Sequence, residues 1–440
     1  MVAPFPRLTF LAREVVAGYF YRVPKIAKSR WVASPVSLVT LLLALSATCF
    51  CAATISDSSH IAEAKPLIEQ GIEAYDRGDY ASAISSLKQA QELAPDQSPT
   101  ALYLGLAYLK QGDLSQAITA WQKYIALQPA TQSEKTNDLR ETVNRDLTIL
   151  LREQNRRQAQ NEIANEHTLG PADPTVVAIT YYRNLGSPEL KPLQKGLTAL
   201  VIADVSKVPG LKVVERDRLQ ALLDEMRLGA SGIADPRTAA HTGHLLGAGR
   251  VVAGSYLDPT KGEMRVDSIL VQTGSATATN SQNASGQVVH FYDVEKRLSL
   301  AILNDLGYHE TGLKARGVWQ AVQTPQTTNY NAFVAFSRGL DAKDRQDYPQ
   351  ARSLFQQAYT LDPSFVLALQ ELNRTPMAVM SVASVASSVG SLAPNVAAVA
   401  AALPAGVVAP SAPSLPALGI LTAPPPPPPP PALPKIPLRE

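Results

Sequence analysis

Cysteine is nearly absent from this chain. Of its 440 residues only Cys49 and Cys51 are cysteines, and both lie in one apolar stretch near the N-terminus. Everything beyond Cys51 is therefore without disulfides, thiolate nucleophiles, cysteine-ligated zinc or iron–sulfur clusters. Charge of one sign is lacking too. Forty basic residues against 38 acidic ones leave a net +2, so no global field recruits nucleic acid and no such partner is expected. Charge almost disappears after Thr375, where about half of the 34 prolines fall. The averages thus cover unlike segments, and at roughly 100–200 residues per domain the length predicts two or three folded units.

The N-terminus carries Arg7, Arg13, Arg22, Lys25, Lys28 and Arg30 against the single acid Glu14. An uncharged run over residues 34–53 follows and ends in small residues. A basic region, an apolar core and a small-residue end are the parts of a secretory signal peptide, with cleavage expected after Ala53. Two alternatives stay open. Beyond Pro35 the run is about 18 residues, just long enough to persist as a membrane anchor. The residues before Cys49 also resemble a lipoprotein box, although Ser46 stands where Leu is usual and Thr48 where Gly or Ala is usual. Residues 1–53 are thus read as signal peptide or anchor and as the only expected membrane contact. The rest of the chain is expected in the periplasm, or there against the outer membrane.

Self-similarity comes next, because a missed repeat misassigns a whole fold. A segment beginning at Ala64 and one beginning at Ser98 match in register, 34 residues apart. Gly71 aligns with Gly105, Gly78 with Gly112, Asp79 with Asp113, Ala83 with Ala117 and Pro95 with Pro129. The pattern resembles the tetratricopeptide repeat. Gly71 and Ala83 suit a close crossing of two helices, Gly78 with Asp79 suits the turn between them, and the prolines suit helix ends. Leu87 and Trp121 hold the large-residue position that faces the neighbouring helix. A third copy begins at Ala332 and keeps Gly339, Tyr348, Ala351, Phe355, Ala358 and Pro363, with Gln346 in place of the turn glycine. A single repeat cannot bury its apolar face, so this one must pack on the front pair or on another domain. Between the copies, residues 131–167 are charged and helix-prone, with Leu139, Val143, Leu147 and Leu150 at helical spacing. They read as a capping helix that runs out as a connector.

From Asp173 to Gly307 strands alternate with helices. Residues 175–184, 211–217, 250–257, 263–272 and, more weakly, 275–282 read as strands. Residues 188–208, 218–228, 235–248 and 288–308 read as helices, the third opened by Asp235 as N-cap and Pro236. The order is βαβααβββα, an α+β arrangement of helices on a mixed sheet. The run Val213–Val214–Glu215–Arg216 leading into a helix, then Leu246–Gly247–Ala248 leading into Val252–Ala253–Gly254–Ser255, resembles the CsgG family of curli assembly. The resemblance covers about 135 of the 440 residues. It implies either a subunit of an oligomeric outer-membrane secretion channel or a soluble periplasmic domain of the same core. Its superfamily also includes lipoproteins that activate penicillin-binding proteins. Channel members insert two extra hairpins per subunit, with spanning strands of roughly 9–11 residues. No insertion is visible here: Val205 to Leu211 is short, and residues 275–287 carry no aromatic girdle. The periplasmic form is therefore favoured.

The expected fold class is α+β: a CsgG-like sheet with packed helices, flanked by repeat hairpins and a disordered proline-rich tail. The expected divisions are 61–131 (two repeats), 132–170 (cap and connector), 171–310 (CsgG-like), 311–330 (linker), 331–372 (third repeat) and 373–440 (tail). Glu215 and Arg216, with Gly247, Ala248, Gly254 and Ser255, are candidates for a structural role or a subunit contact, and a homo-oligomer through this domain is one expectation. His241 and His244 have the spacing of a metal pair but no identifiable third ligand. The glycines of 247–254 follow a helix and open a strand, the reverse of a dinucleotide loop. No cofactor, metal or catalytic residue is expected. The repeats offer a groove lined by Lys65, Ile68, Ile72, Tyr75, Leu102, Leu106, Leu109 and Lys110, suited to a peptide or helix of another envelope protein. The competing expectation is that the third repeat or the capping helix fills this groove. The eight prolines of 424–431 read as a polyproline II spacer. The reading that unites these features is a non-enzymatic, exported assembly or adaptor protein. The alternatives are a curli-type channel subunit and a periplasmic activator of a peptidoglycan synthase.

Overall fold

The computed structural model describes residues 60–128, 134–227 and 235–393. The basic N-terminal segment, both cysteines, Pro129 and the polyproline run lie outside the described residues. The chain is helical through residues 60–76 (α1), then through α2 (Tyr80–Leu93), α3 (Ser98–Gln111) and α4 (Leu114–Leu127). Gly78 and Gly112 make the inter-helix turns at φ of 82° and 83°, where a side chain would be strained. The next residues cap the following helices: the Asp79 carboxylate accepts the Ser82 amide at 3.1 Å, and Asp113 the Gln116 amide at 3.0 Å. Small and large positions of the repeat fit together. A Cβ on Gly71 would lie 2.5 Å from Leu87, and one on Gly105 would collide with Trp121, whose indole donates to the Leu102 carbonyl at 3.3 Å.

Helix α5 (Glu134–Ala164) is 31 residues and so about 46 Å long. It does not simply cap the repeats and run out. Leu139, Val143, Leu147 and Leu150 pack in the repeat core, while Ala159 and Ile163 pack beside the sheet. One continuous helix thus belongs to both.

The central part runs β1 (Asp173–Ile179), β2 (Arg183–Asn184), α6 (Leu193–Val205), β3 (Lys212–Val213), α7 (Arg216–Glu225), α8 (Pro236–Leu245), β4 (Ala248–Leu257), β5 (Glu263–Gln272), β6 (Thr277–Gln287) and α9 (Phe291–Asp305). The sheet order is β3-β1-β4-β5-β6, with β2 also on β4. Strands β3 and β4 run parallel to β1, and β4, β5 and β6 form an antiparallel meander. The mixed sheet and its element order are those the sequence predicts, with two differences. The predicted 175–184 strand divides into β1 and β2. Between them Tyr181 reaches Gln220 on α7, while Tyr182 turns inward toward Ser268. The weak final strand extends to Gln287, because Ala284 on its inner face packs beneath α9.

Alternation along the strands places helices on both faces. Val177, Ile179, Val252, Tyr256, Val266 and Leu270 share a core with α6 and α9. Ala178, Val251, Ala253 and Val271 share another with α7, α8 and the end of α5. The result is three layers.

Residues 311–330, expected as a linker, contain α10 (Glu310–Ala315) and α11 (Trp319–Gln323), whose Leu313 and Val322 are buried in the sheet core. The third repeat follows as α12 (Tyr330–Asp344) and α13 (Tyr348–Leu361). A Cβ on Gly339 would lie 2.6 Å from Phe355, as in the front copies. Gln346 takes the turn at φ 62°, the left-handed geometry that glycine holds in the other two. Of its two expected seats, this repeat takes the sheet domain. The Phe333 ring stacks on Phe291 of α9 at 4.1 Å and 6°, and a Cβ on Gly196 of α6 would collide with Ser337. Helix α14 (Val366–Arg374) then returns to α5. The tail expected from residue 373 instead begins with a formed helix, α15 (Val382–Leu392). Among the described residues no helix is long and apolar enough to cross a membrane.

Candidate functional site

The predicted groove exists as a surface of the repeats, and the chain covers it. Leu102, Leu106 and Leu109 of α3 are buried, while Ile68, Ile72 and Tyr75 of α1 are half-buried around the same cluster. The covering residues are Val385, Ala386 and Val389 of α15, with Ala393 just beyond it. Of the eight candidate groove residues, only Lys65 and Lys110 are left exposed. This corrects the expected open groove. The occupant is not the third repeat but a segment expected to be tail, which packs on α3 and on α5 together. Its signal was present in the sequence: Val382, Val385, Ala386 and Val389 recur at helical spacing.

A carboxylate sits under that helix. Asp146 of α5 is 5% exposed, and its Oδ2 has no hydrogen-bond partner. Burial pushes its carboxyl up to about 6, while a hydrogen bond from Ser388 of α15 and the nearby Arg145 pull the other way. The seat is thus apolar, with one acceptor facing one hydroxyl.

The second cluster lies where the sheet domain meets the third repeat. Arg216, at the start of α7, is 8% exposed and donates to Asp344 of α12 at 2.9 Å and to the Tyr181 hydroxyl at 3.1 Å. It also pairs with the adjacent Asp217. Lys195 of α6 reaches Asp344 at 2.8 Å and Asp341 at 2.9 Å. Lys343 bridges Asp217 at 3.1 Å and Glu371 of α14 at 2.8 Å. Arg152 of α5 donates to the Asp344 carbonyl at 3.1 Å. Beside these groups a pocket of ≈ 180 Å³ is lined by Arg152, Arg156, Asp217, Asp224, Lys343 and Asp344, among others. Its charges are of both signs and mostly paired, which suits a packed joint better than a site for one kind of ion.

The other motif residues stand apart from this cluster. Glu215 is exposed at the N-terminus of α7 without a side-chain capping bond. Gly247 ends α8 at φ 66°, and its carbonyl accepts the Asp173 amide at 3.0 Å. Ala248 is buried as the first residue of β4. At Gly254 the Tyr182 ring leaves no room for a side chain, since a Cβ would lie 2.6 Å from it. Ser255 pairs with Arg183 and Asp267 across the sheet. These four serve backbone geometry and close packing. His241 contacts Glu166 at 2.9 Å, and among the described residues no three His, Cys, Asp or Glu side chains gather as a metal site.

Sequence reasoning missed a third buried cluster. Asp204 of α6 pairs with Lys296 of α9 and lies 2.7 Å from Lys207. Glu295 lies 3.3 Å from Lys296 and accepts the Ser299 hydroxyl at 2.7 Å. Burial and then the Asp204 carboxylate push the Glu295 carboxyl well above its ordinary value.

The geometry defines a three-layer sheet domain carrying helical repeats on both sides of it in sequence. Comparison with known families assigns both parts. The tetratricopeptide repeat family matches residues 68–133, and the family described as curli production assembly/transport component CsgG matches residues 175–258. The chain therefore combines tetratricopeptide repeats with a CsgG-like segment, as the sequence motifs indicate. No curated protein matches it. Among solved structures it is similar to the LpoB C-terminal domain from Salmonella enterica, at 12% identity and a TM-score of 0.22, over 30% of this chain and 94% of that one.

Proposed function

We propose that this protein is a non-enzymatic adaptor of the bacterial cell envelope, acting in the periplasm, that joins a CsgG-like domain to protein-binding repeats. Both matched families are of non-catalytic kinds, and tetratricopeptide repeats are protein-interaction modules. The observation that carries the reading is the engagement of Arg216. The motif arginine that could have served a subunit contact is buried inside the chain against Asp344 of the third repeat. The sheet domain is thus built to carry repeats. The short turn between α6 and β3, and the brief connections of the β4–β5–β6 meander, also favour an adaptor over a channel subunit.

Fractionation and size in mild detergent test this. The adaptor reading expects the full chain in the envelope fraction, in complexes with other envelope proteins crosslinked through the exposed Lys65 and Lys110. A cytoplasmic monomer, or a large ring that conducts ions in planar bilayers, overturns it.

A further inference from the structure

We propose that residues 380–393 are a detachable self-ligand of the front repeats. Once vacated, their seat accepts an uncharged helix of another envelope protein that presents the same valine, alanine and serine positions. The inference rests on the adaptor reading and names what that reading's repeats would bind.

Four observations carry it. First, the contact is made by small residues: Val385, Ala386, Val389 and Ala393 enter the cluster formed by Leu102, Leu106 and Leu109. No ion pair ties α15 to the repeats among the described residues, and α15 contains no charged residue. Second, α15 could not hold its shape alone. Eleven residues are too few for a stable isolated helix, and these are valine, serine and glycine for the most part, all weaker helix formers than alanine. Its folding is therefore coupled to its docking, and ordering eleven residues opposes the contact.

Third, the contact carries an internal conflict. While the helix is docked, a carboxylate oxygen of Asp146 lies buried without a partner, which opposes the contact. The same group offers the seat a selectivity: an acceptor that a helix with a serine at the place of Ser388 can meet. Fourth, the segment leading to α15 is itself loosely held. Met377 and Val379 are exposed at 61% and 63%.

The seat it would vacate is a continuous apolar row over two helices, of the kind that marks an interaction surface when uncovered. The pattern it reads is Val385–Ala386–x–Ser388–Val389, followed four residues later by Ala393.

The test uses the full chain and a fluorescent peptide of residues 380–393 as probe, read by polarisation. The V385E/V389E chain, with its helix expelled, should bind the peptide at least tenfold more tightly than the wild type, and V385A/V389A should shift binding the same way by less. Adding I72K to the opened chain should abolish uptake. A peptide carrying S388A should bind several-fold more weakly. Equal binding by wild type and opened chain overturns the proposal, as does an opened chain that keeps its circular dichroism and takes no peptide. A concentration-dependent wild-type dimer that excludes the peptide also overturns it, since the occupant would then be a second copy. Envelope crosslinks that persist when the opened chain takes no peptide would remove the self-ligand and leave the adaptor reading in place.

Discussion

Glu295 shows what one buried side chain does to the pH response of the fold. It shares a buried site with Asp204, where Lys296 lies between the two carboxyls and Lys207 reaches Asp204 alone. Burial and Asp204 raise its carboxyl, so the folded protein holds this proton more tightly than the unfolded chain does. The sign follows directly: the contribution is fully present below the unfolded value near 4.3 and is lost as pH rises through the folded one. E295Q should mimic the protonated acid, because its amide can donate to Asp204 as the carboxylic acid does. Melting temperatures from about pH 5 to pH 8 should then fall with pH in the wild type and stay flatter in E295Q, the underlying stability changing by roughly 1.4 kcal/mol for each unit by which the pKa is raised. Parallel profiles would show that Glu295 is ionised throughout.

Among elements, the joint between α7 and α12 is held by buried charges. Asp344, with its side chain 7% exposed, is the acid on which Arg216 and Lys195 converge. Neutralising it leaves the buried guanidinium only the adjacent Asp217 as counter-charge, and breaking a buried pair in this way costs at most about 3–5 kcal/mol. D344N should lower the urea midpoint accordingly. D341N removes a partner of the same Lys195 from a side chain 43% exposed and should cost less than about 1 kcal/mol. Comparable effects from both would deny the joint its importance. This pair also marks where sequence reading stops. That Gly71 and Gly105 are small and Leu87 and Trp121 large was legible from the 34-residue repeat, and the structure sets each glycine against the large residue sixteen positions on. Arg216 was legible as a motif, but its partner lies 128 residues away, and nothing local in Asp344 distinguishes it from other surface acids. The sheet order was legible only in outline, and the cover over the groove was obscured by the alanine–proline composition around it.

At the scale of the molecule, the sheet domain and the third repeat do not stand as separate bodies. Phe291, Phe333, Phe336, Leu197 and Leu298 belong to a single core. A chain ending after Gln323 should therefore lose near-ultraviolet circular dichroism and bind the dye ANS, the marks of a compact state without fixed packing. A truncated chain that melts cooperatively at the wild-type temperature would show instead that the sheet closes its own core. Helix α15 has a consequence of another kind, in time. The last described helix covers one of the first, and about 270 residues of chain separate them. Whether leaving a ribosome at about 5–20 residues per second or threaded N-terminus first across a membrane, α1 to α4 emerge long before their cover exists. At ribosomal speed the delay is roughly 14–54 seconds. Every new copy thus passes through an interval in which its repeat face is bare, and any factor that meets the chain then competes with no resident.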